Sequence, residues 1–186
     1  MQNPLRLKII AVALVIGALG IGGPAAAQDS NSAKARALVD AAIKMTNGDE
    51  AVKLLWQATD LDPAQQDAYV YLGLYYQAKS DFANMVKVYQ KLAKNNPNQP
   101  TAYINIGEAY MSFSPPRTQD ALVYFRKAYE IDPKNSFAAL RIGEILGQSG
   151  NSPEAIKYLR QALADSTKNP AVSAEAENVL KQMGAL

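Results

Sequence analysis

Cysteine and histidine are both absent from the 186 residues, and tryptophan occurs once. Without cysteine the chain has no disulfide to help it, so it must fold on its core alone. No thiol is present to carry a lipid, which excludes a cysteine-linked lipid anchor. Zinc and copper sites built on His or Cys are excluded. So are Ser-His, Cys-His and other histidine-based catalytic arrangements. Period-two alternation is also lacking: Val86 and Val88 alternate, but inside a longer helical pattern. The chain therefore reads as all-α.

An excess of one charge is missing as well, once the N-terminal segment is set apart. Arg6 and Lys8 make a basic start, Ile9 to Gly23 is 15 residues without a charge, and Pro24 with Ala25, Ala26 and Ala27 comes next. A basic start, a short apolar run and small terminal residues form the pattern of a secretory signal peptide, here residues 1–27, with cleavage after Ala27. The alternative, an uncleaved anchor, is disfavoured because the run is short for a bilayer and rich in Gly and Ala. The full chain has 19 basic and 17 acidic residues; residues 1–27 hold two basic and no acidic ones, leaving 17 against 17. The basic overall balance thus belongs to the leader, and nothing in the remainder suggests nucleic acid. The expected product is periplasmic or secreted, with no stable membrane insertion after cleavage.

Beyond the leader the chain is a series of amphipathic segments. Residues 28–31 are polar and read as a flexible start. Ala35, Leu38, Val39 and Ala42 form one helical stripe, broken at Asn47-Gly48. Ala51, Leu55, Ala58 and Leu61 form the next, ended by Asp62-Pro63 because the residue before proline avoids helical geometry. Two helices are expected over about 66–79 and 82–94, a further pair between Pro100 and Asp132, a fourth pair between Ser136 and Asp165, and a lone helix from Ala171 to Met183. That makes nine expected helices.

The pattern repeats. Tyr69 and Tyr103 are 34 residues apart, as are Gly73 and Gly107, and Pro63 and Pro97. A fixed period of this size means stacked supersecondary units. One copy reads Tyr69-x2-Leu72-Gly73-x2-Tyr76, then Met85-x3-Tyr89, then Pro97. The next reads Tyr103-x2-Ile106-Gly107-x2-Tyr110, then Ala121-x3-Phe125-x2-Ala128, then Pro133. Looser copies centre on Leu38-Val39 with Ala51, Leu55 and Ala58, and on Ile142-Gly143 with Ala155, Leu159 and Ala162. In this pattern the chain resembles the tetratricopeptide repeat family over roughly 130 residues. The glycines let the paired helix approach; the alanines do the same from the other side. One pair cannot bury its own apolar face, so the units must stack.

The resemblance implies a right-handed superhelical solenoid of four helix-turn-helix units, about 32–65, 66–99, 100–135 and 136–170. Residues 171–186 then form a capping helix and tail. The third copy carries two extra residues within Ser112 to Thr118, whose Pro115 and Pro116 rule out a continuous helix.

Members of that family bind peptides or helices along a concave face lined by the first helix of each unit. Carried onto this sequence, the face holds an apolar strip of Val70, Leu74, Ile104, Phe137 and Leu140. An acidic edge of Asp40, Glu108 and Glu144 runs beside it, with Arg36, Tyr71 and Asn105 alongside. Such a surface suits a protein or peptide partner with apolar anchors and a basic flank. The competing reading buries Val70, Ile104 and Leu140 between units. A lysine-asparagine clamp on a C-terminal carboxylate does not fit, because Asp40, Leu74 and Glu108 stand where cations and amides are wanted.

A secondary patch is formed by Lys87, Lys91 and Lys94, spaced i, i+4, i+7, with Phe113 and Arg117 on the insertion; a solvated outer face is the ordinary meaning of such a run. Tyr71 and Tyr75 are anchors or inter-unit packing. The function expected is a non-catalytic interaction scaffold for an envelope assembly or secretion complex, without metal or cofactor. A homo-oligomeric structural protein using the same groove is the alternative. Glu108 and Glu144 as an acid-base pair would be an enzyme's signature, but no nucleophile or metal set accompanies them. The oligomeric state stays open.

Overall fold

The computed structural model describes residues 30–164 and 169–186. The expected leader, residues 1–27, lies outside them. The described residues contain nine α-helices and no strand. They fall into two compact units, divided between Asn95 and Asn96.

The first unit holds α1 (Ser30–Lys44), α2 (Gly48–Leu61), α3 (Gln66–Ala78) and α4 (Phe82–Asn95). The second holds α5 (Pro100–Met111), α6 (Thr118–Ile131), α7 (Ser136–Gln148), α8 (Ser152–Ala164) and α9 (Pro170–Gln182). Consecutive helices pack in pairs, and each pair packs on the next within its unit. Of the start expected to be flexible over 28–31, residues 28–29 lie outside the described residues; α1 begins at Ser30, and the Ser32 hydroxyl donates to Asp62 Oδ2 at 2.6 Å. The last helix starts one residue before Ala171, because Pro170 lacks only an N–H that the first turn leaves unpaired anyway.

The repeat signature is visible as repeated packing. A Cβ on Gly107 would stand 2.6 Å from the Phe125 ring, and one on Gly143 2.6 Å from Leu159 Cγ; on Gly73 it would collide with the Tyr89 hydroxyl. The first helix of each of these three pairs thus has no side chain where its partner helix presents a large one. Phe125 and Leu159 are fully buried there.

Backbone hydrogen bonds repeat too. The turn inside the second and fourth pairs closes with an N–H donated to the last aromatic or leucine of the signature: Asp81 to Tyr76 O at 2.8 Å and Asn151 to Leu146 O at 2.9 Å. In the third copy Arg117 donates to Tyr110 O at 3.0 Å, so the two extra residues are accommodated inside the same closure. The turn between pairs has its own staple. Tyr69 donates its hydroxyl to Pro63 O at 3.3 Å and Tyr103 to Pro97 O at 3.1 Å. Ala35 and Ala139, in the same slot of the outer copies, have no hydroxyl to do this.

In the second unit α9 covers the last pair. Val172, Ala176 and Leu180 join Leu140, Leu159 and Ala162 in one core cluster. Asn178, Lys181 and Gln182 remain exposed, as a capping helix requires.

Candidate binding surface

In the first unit the face formed by α1 and α3 carries Arg36 and Asp40, both exposed, and Val70, Tyr71 and Leu74, all half-buried. Burial raises the pKa of the Tyr71 phenol, and the charges of Asp67 and Asp40 raise it further. The α1 and α3 residues expected on one face are therefore within electrostatic reach of each other. Tyr75 is inter-helix packing rather than an anchor: a Cβ on Gly48 would stand 2.9 Å from its ring, and its hydroxyl donates to Asp49. That hydrogen bond, ahead of burial, pushes the Tyr75 pKa up to about 12.

The corresponding face of the second unit is built differently from the expectation. Glu108 and Glu144 are not a free acidic edge, because Arg141 stands between them. Its Nε and Nη2 donate to the two carboxylate oxygens of Glu108 at 2.9 and 3.4 Å, and its Nη1 donates to Glu144 Oε2 at 2.9 Å. Glu175, from α9, reaches the same Nη1 at 3.9 Å. The guanidinium also lies 4.9 Å from the centre of the Phe137 ring. Burial disfavours the Arg141 charge, but its hydrogen bond to Glu144 and the charge of Glu108 outweigh it and leave its pKa raised. Glu144 is raised chiefly by burial; Arg141 opposes this and Glu175 adds to it. Three carboxylates from three helices surround one cation, a surplus of negative charge.

Leu140 is the second correction. It is fully buried in the cluster that α9 covers, so it is core and not groove. Ile104 and Phe137 are intermediate, half-buried and packed against the neighbouring core, with one side left accessible. Asn105 is half-buried between Ile104 and the buried Ile106.

The lysine run divides. Lys87 and Lys94 are exposed, Lys87 donating to Asn84 Oδ1 at 3.2 Å. Lys91 is a correction: it donates to Thr59 Oγ1 at 2.8 Å, pairs with Asp60 and lies 5.2 Å from the centre of the Trp56 ring, tying α4 to α2. The insertion is folded back on its own unit. Phe113 stacks on Tyr110 at 5.9 Å between ring centres, Tyr110 stacks on Tyr124 at 5.5 Å, and Arg117 covers Tyr110 at 4.7 Å while pairing with Asp120 at 2.8 Å. Phe113 and Arg117 thus pack back on Tyr110 and hold the turn in place, while Arg117 stays exposed.

Sequence reasoning missed Arg141 and Glu175. The available clue was helical spacing: Arg141 is three residues before Glu144, where a cation meets a carboxylate on one helix face. Among the described residues no group of three or more His, Cys, Asp or Glu side chains is placed to hold a metal ion, and no helix is long and apolar enough to cross a membrane.

Family models described as tetratricopeptide repeat match residues 36–100, 72–136 and 117–177. Tetratricopeptide repeat protein 21B of Mus musculus is 26% identical over 131 residues, covering 70% of this chain and 10% of that protein. Anaphase-promoting complex subunit 3 of Schizosaccharomyces pombe is 26% identical over 113 residues, 61% of this chain and 17% of that protein. The chain spans only a tenth to a sixth of the length of these relatives. Among solved structures, MamA matches with a TM-score of 0.61 and 21% identity, over 91% of this chain and 98% of its own. YrrB, described as having an unusual peptide-binding site, matches with a TM-score of 0.58 and 16% identity, over 85% and 78%. These likenesses show the fold.

Proposed function

The chain belongs to the tetratricopeptide repeat family, and on that premise we propose that it is a non-catalytic scaffold. It holds a peptide or helical segment of a partner protein against the first-helix faces of its repeats. The observation that carries this reading is the composition of the α5–α7 face. Ile104 and Phe137 present accessible apolar surface there, beside three carboxylates that Arg141 only partly neutralises. Apolar anchors contribute most of the affinity in such contacts, and charges set register and encounter rate. The partner segment is therefore apolar with a basic flank. A peptide-binding site in YrrB, a protein of like fold, supports the same class of role.

The scaffold works outside the cytoplasm, in the periplasm or beyond it, serving an envelope assembly or secretion complex. The three-part leader pattern of residues 1–27 supports that address.

The test compares immobilised residues 28–186 with two variants, Leu74→Glu and Glu175→Lys, in capture from an envelope extract. A partner retained by the parent chain and lost by either variant, with helical circular dichroism unchanged, is the expected result. Equal capture by all three, or a stable dimer of the chain at micromolar concentration with nothing else retained, overturns it.

A further inference from the structure

Arg141 has two ends with different chemistry. At one end Glu108 takes Nε and Nη2 in a two-point pair, which a guanidinium and a carboxylate satisfy completely. At the other end two carboxylates converge on the single nitrogen Nη1: Glu144 of α7 at 2.9 Å and Glu175 of α9 at 3.9 Å. Nη1 carries two N–H groups, yet only Glu144 lies within hydrogen-bond distance of it. The longer distance to Glu175 marks the carboxylate left short of a donor, and the two like charges face each other across the α7–α9 contact. The Glu144 side chain is 17% exposed and the Glu175 side chain 51%, so one member of the pair is held away from water while the other meets it.

We propose that Glu144 and Glu175 form an acid-operated latch that fastens the terminal helix α9 onto the second unit. On acidification Glu144 takes up a proton and donates it in a hydrogen bond to the Glu175 carboxylate, replacing a repulsion between helices by a bond between them. Arg141 keeps Glu108, and its Nη1 remains beside Glu175. The direction agrees with the environment of Glu144, whose pKa is raised first by burial and then, against the opposing pull of Arg141, by Glu175.

The charged groups around the latch are Arg141 on α7, Glu108 on α5 and Glu175 on α9. On α6, Arg126 pairs with Glu154 of α8 and Lys127 with Glu130. Arg117, in the turn before α6, pairs with Asp120. On α8, Lys157 and Arg160 are exposed, Arg160 donating to Ala185 O at 3.4 Å. None of these supplies Nη1 with a competing partner.

Linkage fixes the sign. A carboxyl whose pKa is raised in the docked state binds its proton more tightly there than when α9 is released. Docking is therefore strongest below the ordinary carboxylate range and weakens as pH rises through the raised value. Each pKa unit of difference between docked and released states changes the docking equilibrium about tenfold.

Hydrogen exchange of the full chain, followed by mass spectrometry between about pH 4 and about pH 8 and corrected for intrinsic exchange, reads this directly. The peptide covering α9 is compared with the peptide covering α4, which has no part in the cluster. Protection of α9 is expected to fall relative to α4 as pH rises. Glu144→Gln, whose amide donates to Glu175 without a titratable proton, is expected to hold α9 protection level across the range. Glu175→Gln, at the exposed position, is expected to flatten the profile as well and serves if Glu144→Gln does not fold. Parallel profiles for α9 and α4 in the parent chain overturn the proposal, and so does an unchanged α9 profile in the variants.

Discussion

The Tyr89 hydroxyl occupies the space that a Cβ on Gly73 would fill. The absence of a side chain on α3 is thus a structural component of the second helix pair, and the same relation joins Gly107 to Phe125 and Gly143 to Leu159. The first copy has Val39 and Leu55 in these slots, a larger first-helix residue opposite a smaller second-helix one.

Gly73→Ala is expected to destabilise the chain although alanine is the better helix former. The propensity gain is about 1 kcal/mol, while displacing a buried ring costs roughly 1–3 kcal/mol. Gly107→Ala should cost more, because Phe125 is fully buried and has nowhere to move. Urea midpoints measure both. Adding Tyr89→Leu to Gly73→Val, the combination of the first copy, should recover part of the loss; strict additivity in the double-mutant cycle would refute the pairing.

Tyr69 is buried, yet its hydroxyl serves two partners, donating to Pro63 O and accepting from Asn95 Nδ2 at 2.9 Å. Tyr69→Phe keeps the ring and removes both bonds. The expected loss is about 0.5–1.5 kcal/mol, the net worth of ordinary hydrogen bonds, because Pro63 and Asn95 are exposed and can turn to water. A thermal melt unchanged from the parent chain would show that the staple contributes nothing.

Lys91 lies over the only tryptophan. Lys91→Met is expected to change Trp56 emission and to lower stability by about 1 kcal/mol, the scale of a half-exposed cation–π contact and surface ion pair. Lys87→Met, at an exposed position on the same helix, should leave emission unchanged. Fluorescence of the two variants side by side decides it.

Arg141→Met removes the one cation among three carboxylates. A fully buried pair broken in this way costs about 3–5 kcal/mol; the Arg141 side chain is 27% exposed, so about 1–3 kcal/mol is expected here. The loss depends on pH. Arg141 holds the Glu144 pKa down against burial, so in the variant that pKa rises further. Glu144 then favours folding only while protonated, and stability falls as pH rises through the raised value. Urea midpoints at about pH 4 and about pH 7 should differ more from the parent chain at the higher pH.

Tyr89 is buried, and burial pushes its pKa up to about 12 from an ordinary 10.0. The folded state therefore resists its ionisation, and stability is retained below the ordinary value and lost as pH rises towards about 12. Phenolate absorbance should show Tyr89 titrating together with alkaline unfolding; in Tyr89→Phe the late component shrinks to that of Tyr75, whose pKa is also about 12.

Helix positions, the 34-residue period and the glycine slots were legible in the sequence, because they depend on spacing along one or two helices. Even the insertion was legible as a proline-interrupted turn. Its fate was not: Phe113 and Arg117 fold back on Tyr110 through contacts that local pattern does not specify. The tertiary structure alone decided which first-helix residues remain on the surface. Leu140 and Ile104 share one slot of the repeat, yet Leu140 is fully buried and Ile104 half-buried, because α9 contributes to the cluster that encloses Leu140. The charge of the face was decided in the same way. Glu108 and Glu144 look like a bare acidic edge in sequence, and Arg141 is one more exposed-looking basic residue. Only the stacking of α5, α7 and α9 brings them within hydrogen-bond reach and turns Glu144 and Glu175 towards one nitrogen. A repeat's period is a local property of the chain; the pairing of charges across repeats depends on how far each helix is turned against its neighbour, and side-chain packing sets that rotation.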